Sequence, residues 1–221
     1  MSPAAAEPGP RPGAKVMPPS RRAHRAPLVF IAVAVIATIA LYATFRSGRH
    51  ASIAAGQYQV GSPGPGQPAP PVSLPATTGS QIDLGAYKGK TVLLYFQEGL
   101  GCEPCWTQLH DLEKSAGQVR GAGIDQILSI TTAPVDLLTQ KVRDEGLHTP
   151  VLSDTTLAVS RSYHANDYGM MGNMSDGHTF VLIGPDGVIR WRGDYGGAPR
   201  YAMYVPVATL LADLRSVSKH S

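Results

Sequence analysis

Cysteine is scarce in this chain: 221 residues contain two, Cys102 and Cys105. Small scaffolds stapled by disulfides carry many more, so that class is excluded. A bridge between these two closes a loop too short to remove much entropy from the unfolded chain, so stapling is not their use. There is no second CxxC, and Trp106 rather than histidine comes directly after the first. Structural zinc and covalent haem therefore lack their ligand sets, with His110 able to supply only one more. Charge is also sparse, at 16% of residues. The formal net charge is +3, yet from Val72 onward 12 Lys/Arg stand against 15 Asp/Glu. The basic excess belongs to Arg11, Lys15, Arg21, Arg22, Arg25, Arg46 and Arg49. The folded part thus offers no basic stripe to phosphates, and no nucleic-acid partner is expected. Large apolar residues are nearly absent from residues 1–27, which are expected to form a disordered, basic, cytoplasmic segment. No internal repeat is present.

Apolar residues are abundant immediately afterwards. From Leu28 to Phe45 the chain reads LVFIAVAVIATIALYATF, 18 residues without a charge. That is close to the length needed to cross a bilayer as a helix. A cleaved signal peptide is the alternative, with Ser52-Ile53-Ala54 as a small-x-small site, although its apolar core is normally shorter. Five Lys/Arg precede the stretch and two come closely after it. The positive-inside rule then places the N-terminus in the cytoplasm and the C-terminal part outside, in the cell membrane as a single-pass anchor. Residues 46–71 are rich in Pro and Gly and are expected to be a linker.

Residues 72–221 alternate strand and helix patterns. The run Val92-Leu93-Leu94-Tyr95-Phe96 suits a central strand covered on both faces. Residues 103–120 read as a helix, with Trp106, Leu109, Leu112, Ala116 and Val119 at helical spacing. Ile127 to Ile130 is a second strand, and Val135, Leu138 and Val142 mark a second helix. Phe180 to Ile183 and Val188 to Trp191 flank Pro185-Asp186-Gly187, a turn whose proline fixes φ and whose glycine allows φ > 0. Val207, Leu210, Leu211, Leu214 and Val217 form a closing amphipathic helix. The order predicts an α/β fold: a central mixed sheet flanked by helices.

The chemistry is carried by Gly101-Cys102-Glu103-Pro104-Cys105-Trp106, between a buried strand and a helix start. At a helix N-terminus, unpaired N–H groups and the dipole favour the thiolate, which is the attacking species. Pro104 fits the first turn, where its missing N–H costs nothing. Cys105, about a turn further in, is placed to resolve a mixed disulfide. Cys102 and Cys105 are therefore the expected catalytic pair and redox-active disulfide.

Beyond this pair, Gly66-Gln67-Pro68-Ala69-Pro70, Leu74-Pro75, Gly89-Lys90, Pro150-Val151-Leu152-Ser153-Asp154 and Phe180-Val181-Leu182-Ile183 complete a pattern. It resembles the redoxins, the alkyl hydroperoxide reductase/thiol-specific antioxidant (AhpC/TSA) family of the thioredoxin-like superfamily. The resemblance implies a thioredoxin-like fold after one transmembrane helix. The expected function is a membrane-tethered, extracytoplasmic thiol–disulfide oxidoreductase. It would need no cofactor and would act on protein thiols and disulfides with an unidentified electron donor. Peroxiredoxins carry proline and Thr/Ser seven and three positions before the peroxidatic cysteine; before Cys102 those positions hold Tyr95 and Gly99, and before Cys105 they hold Glu98 and Cys102. Thiol peroxidase activity is accordingly the alternative, with slow turnover expected. Thioredoxin-like reductases carry a cis-proline facing the CxxC, and the corresponding stretch Asp176 to Phe180 has none.

Four further residues are auxiliary candidates. His178 is placed by the resemblance near the CxxC, to stabilise a thiolate or move protons. Glu98 is a candidate proton shuttle, or a solvated carboxylate. Pro104 shapes the helix start, and Trp106 packs the helix on the sheet or shields the disulfide. Met170, Met171 and Met174 precede His178, and thioethers with imidazole and thiolate suit Cu(I). They raise a second alternative, a copper chaperone resembling the Sco group, although that group spaces its cysteines CxxxC.

Overall fold

The computed structural model describes residues 25–47 and 54–217. The basic segment expected over residues 1–27 lies almost wholly outside them. Two compact units separate, Met1–His50 and Ala51–Ser221. In the first, α1 (Arg25–Ser47) is helical throughout the charge-free stretch. Its large apolar side chains, including Phe30, Ile36 and Leu41, are exposed. Among the described residues, no helix is long and apolar enough to cross a membrane. The spanning helix expected from the sequence therefore has no structural support.

The second unit is an α/β fold on a five-stranded mixed sheet. Its strands are β3 (Val92–Phe96), β4 (Gln126–Thr131), β5 (Val151–Ser153), β6 (Thr179–Ile183) and β7 (Ile189–Asp194), ordered β5-β4-β3-β6-β7. β3, β4 and β5 run parallel, while β6 and β7 are antiparallel. All five residues of β3 are buried, as a strand covered on both faces requires. Leu93 and Tyr95 pack beneath α2 (Glu103–Lys114) and α6 (Val207–Val217). Leu94 and Phe96 pack on the other side with Val159 and Tyr163, from α5 (Ala158–Ser162) and the residue that ends it. α4 (Val135–Asp144) connects β4 to β5.

Three expectations are corrected. The helix read over 103–120 breaks at Ser115 into α2 and α3 (Ala116–Gly121). Ser115 and Gly117 are poor helix formers, and the apolar spacing across them belongs to two short helices. β7 runs three residues beyond Trp191, to Asp194. The folded unit also begins well before Val72, because residues 57–69 lie antiparallel along β7. Gln59 and Asp194 exchange backbone hydrogen bonds of 2.9 Å each, and Gly66 N–H and Ala69 N–H donate to Ile189 and Gly187. Proline and glycine made this segment read as a linker, but both are tolerated where a chain covers a sheet edge. At the other edge, β1 (Ser73–Pro75) and β2 (Gln81–Asp83) form a small antiparallel pair, and Thr77 N–H donates to Val151.

A buried ion pair ties the first of these edges down. Arg192 and Asp194 are both fully buried, with Nε–Oδ2 at 2.8 Å. Arg192 Nη1 also donates to the carbonyls of Tyr163 and Pro63. Asp194 accepts from Thr179 Oγ1 and Gly61 N–H, each at 2.7 Å. Gly61 is needed here, since a Cβ would lie 2.6 Å from Tyr168 Oη and 2.8 Å from Arg192 Nη2. Replacing Asp194 by Asn leaves a buried guanidinium without its counter-charge. We expect a loss of about 3–5 kcal/mol in urea unfolding of the Ala51–Ser221 unit. Asp186→Ala, which breaks the half-exposed Arg190–Asp186 pair, should leave the unfolding midpoint unchanged. Equal effects of the two variants would contradict this account.

Candidate active site

β3 delivers the chain to the sheet end at which α2 begins, and the loop between them is pinned at Gly99. The Gly99 carbonyl accepts from Cys102 N–H at 3.0 Å and from Trp106 Nε1–H at 3.1 Å. Cys102 is the N-cap of α2, with Glu103 and Pro104 in the first turn. Its carbonyl in turn accepts from the N–H groups of Cys105 and Trp106. This first turn brings the two cysteine Cα atoms to 5.3 Å, and their sulfurs are joined in a disulfide. Cys102 retains 9% exposure and Cys105 none. Cys102 is thus the less buried of the two and sits at the positive end of a helix, while Cys105 is fully buried in a core cluster with Trp106 and Leu109. Trp106 is fully buried, its indole anchoring the loop while the Lys141 ammonium lies 5.4 Å from its ring centre.

Directly under the pair is Tyr95 of β3. Its hydroxyl lies 3.4 Å from the Cys105 carbonyl and 3.0 Å from His178 Nδ1. The phenol ring stacks on Phe180 at 4.5 Å, and the imidazole meets both rings edge-on. His178 is fully buried, and burial lowers its pKa to about 3. It is therefore a neutral imidazole and offers hydrogen bonds rather than charge. Its backbone is fixed by a bond from His178 N–H to the Tyr168 carbonyl and one from Tyr195 N–H to its own carbonyl. The neighbouring Gly177 is obligatory, because a Cβ there would fall 1.6 Å from the Tyr168 carbonyl oxygen. Burial, reinforced by the Glu98 charge, holds the Tyr95 phenol well above its usual range, so it stays protonated.

Glu98 is half-buried and clamps a loop. Its carboxylate accepts from Met170 N–H at 2.6 Å and its carbonyl from Ser175 Oγ at 2.7 Å. Met170, Met171 and Met174 are exposed on that loop, whereas His178 is inside the core. The four groups of the copper alternative are therefore divided between surface and core. Among the described residues, no group of three or more His, Cys, Asp or Glu is arranged to hold a metal.

Sequence reading did not single out Tyr95, Gln97, Thr131 or Asp176. Gln97, Thr131 and Asp176 are polar residues beside apolar strand cores, and Tyr95 sits inside one. Their burial depends on strands far away in the chain. Burial raises the Asp176 carboxyl well above its usual range; its oxygens find no hydrogen-bond partner, since the nearby Ser160 hydroxyl donates to Asp154.

A mixed sheet with a disulfide at the first helix turn has clear relatives. The chain is 31% identical over 127 residues to peroxiredoxin Bcp of Escherichia coli, covering 56% of this chain and 81% of that protein. It is 33% identical over 125 residues to a putative peroxiredoxin of Mycobacterium tuberculosis, covering 53% and 77%. Among solved structures, M. tuberculosis peroxidoxin BcpB shares the fold with a TM-score of 0.57 at 19% identity, covering 69% of this chain and 97% of that one. M. tuberculosis AhpC does so with a TM-score of 0.59 at 15% identity, covering 74% and 96%. The AhpC/TSA family model matches residues 65–192, more than half of the sequence, and the chain belongs to that family.

Proposed function

We propose that this protein is a thiol peroxidase in which Cys102 is oxidised by peroxide and Cys105 resolves it. The observation that carries the reading is the Cys102–Cys105 disulfide at the helix start, in a chain whose relatives are peroxiredoxins. The Cys102 thiolate attacks the terminal peroxide oxygen. An S–O bond forms as the O–O bond breaks, and the departing alkoxide takes a proton from water. The resulting sulfenic acid condenses with the Cys105 thiol, releasing water and forming the disulfide. A dithiol reductant then restores both thiols by exchange. This ordering puts peroxide ahead of the disulfide exchange expected from the sequence. The partial exposure of Cys102 and full burial of Cys105 support the division of roles.

Thiol–disulfide exchange with protein substrates is the second reading. It is favoured by one observation: neither cysteine is preceded by the proline and Thr/Ser frame of peroxiredoxins. The two readings share the same attacking and resolving sulfurs. For location, we propose a membrane tether through residues 28–45 with the second unit outside. The support is the charge-free sequence and its basic N-terminal flank alone.

Two outcomes are expected. In Cys105→Ser protein, hydrogen peroxide should leave one dimedone-reactive sulfenic acid, located on Cys102 by mass spectrometry. Cys102→Ser protein should take up none, and a label on Cys105 there would reverse the roles. Protease added to intact spheroplasts should remove the Ala51–Ser221 unit. Its full protection would contradict the external location.

A further inference from the structure

β4, β3 and β6 are adjacent in the sheet, and their register aligns three polar residues in one row. Phe96 pairs with Ile130 on one side and with Thr179 on the other. Gln97 comes after Phe96, Thr131 after Ile130, and His178 precedes Thr179. By strand alternation all three project to the face of Tyr95, beneath α2. All three are fully buried. Each also carries an atom with no hydrogen-bond partner: Gln97 Oε1, Thr131 Oγ1 and His178 Nε2. One such orphan costs about 1–3 kcal/mol, so three in a row mark a place built for a polar group that completes them.

Their chemistry says what kind of group. Gln97 Nε2 is committed to Ser129 Oγ at 2.8 Å, so its Oε1 offers an acceptor. His178 Nδ1 lies 3.0 Å from the Tyr95 hydroxyl, which leaves Nε2 with one hydrogen bond still to make. The Thr131 hydroxyl can both donate and accept. An acceptor, a hydroxyl and an imidazole nitrogen complement an O–H group, which itself both donates and accepts.

Thr131 borders the loop that leads into Cys102. Gly99, whose carbonyl holds Cys102 N–H, has φ +107°, and a Cβ on it would lie 2.7 Å from Thr131 Oγ1. A threonine at position 99, three before Cys102, is thereby excluded, and the Thr131 hydroxyl fills that space from the neighbouring strand.

We propose that Thr131, Gln97 and His178 form the binding site for the hydroperoxide O–H group, replacing from the sheet the hydroxyl frame that the loop lacks. The site rests on the peroxidase reading above. It is closed in the disulfide form and receives peroxide in the reduced enzyme, once Cys102 is free of Cys105. Bound there, the terminal oxygen is polarised as the thiolate attacks it, and the OH group passes to sulfur while the alkoxide leaves and is protonated by water. The ionisable group in contact with the imidazole is Tyr95 from β3, with Glu98 acting on Tyr95 in turn.

The test is stopped-flow oxidation of the reduced full-length protein by hydrogen peroxide, beside its reaction with the disulfide reagent dithiobis(nitrobenzoate), which needs no O–H site. Thr131→Val and Gln97→Met should each slow peroxide oxidation by about tenfold or more, leave the disulfide reagent's rate within about twofold, and keep the thermal midpoint near wild type. Thr131→Ser should restore most of the peroxide rate. A wild-type rate well above free cysteine with no loss in either variant overturns the site alone. Equal slowing toward both reagents also overturns it, since the row would then act on the thiolate or the fold. A wild-type peroxide rate no faster than free cysteine overturns the peroxidase reading, and the site with it.

Discussion

The Gly99 carbonyl is the hinge on which the disulfide-bearing turn depends. It accepts two hydrogen bonds, from the N-cap backbone of Cys102 and from the buried indole of Trp106. The first sets where α2 starts, and the second fixes α2 against the sheet. Together they hold the cysteines on the first helical turn at the end of β3. That turn is what lets sulfurs three residues apart meet, and it also decides which one faces solvent. A helix begun one residue later would lose the N-terminal position of Cys102 and the dipole that favours its thiolate.

Such a loop needs a rigid support, and the sheet supplies it by leaving neither edge bare. Residues 57–69 cover β7, and the β1–β2 pair reaches β5. The Arg192–Asp194 pair fastens the first of these covers, with its remaining hydrogen-bonding groups satisfied by Tyr163, Pro63, Thr179 and Gly61. A buried pair of this kind adds little net stability over apolar packing, yet removing one member is costly. It specifies where the N-terminal segment must lie more than it strengthens the fold.

The core beneath the cysteines carries two kinds of polar group. Some are satisfied, such as the Tyr95–His178 contact. Others are left open in a line across three strands. Stability alone gives no reason to bury the second kind. They lie in one row on the sheet face beneath α2, where the proposed peroxide site would use them. The methionine loop clamped by Glu98 stays at the surface and shares no donor with His178, so copper binding has no assembled site there.

Much of this was legible in one dimension. The CxxC between an apolar strand and a helix, the Pro-Asp-Gly turn and the closing amphipathic helix result from local spacing and backbone preferences, which act over a few residues. With the strings at 66–70, 74–75, 89–90, 150–154 and 180–183 they carried the resemblance to the redoxins, and the family match bears that resemblance out. The break at Ser115 and the pairing of residues 57–69 were not legible, because apolar spacing is blind to short helix interruptions and Pro/Gly content is blind to sheet edges. The row of Thr131, Gln97 and His178 was beyond the sequence altogether. Register between strands separated by tens of residues is set by packing in three dimensions, and only there do a neutral buried histidine and two other polar side chains fall into one row.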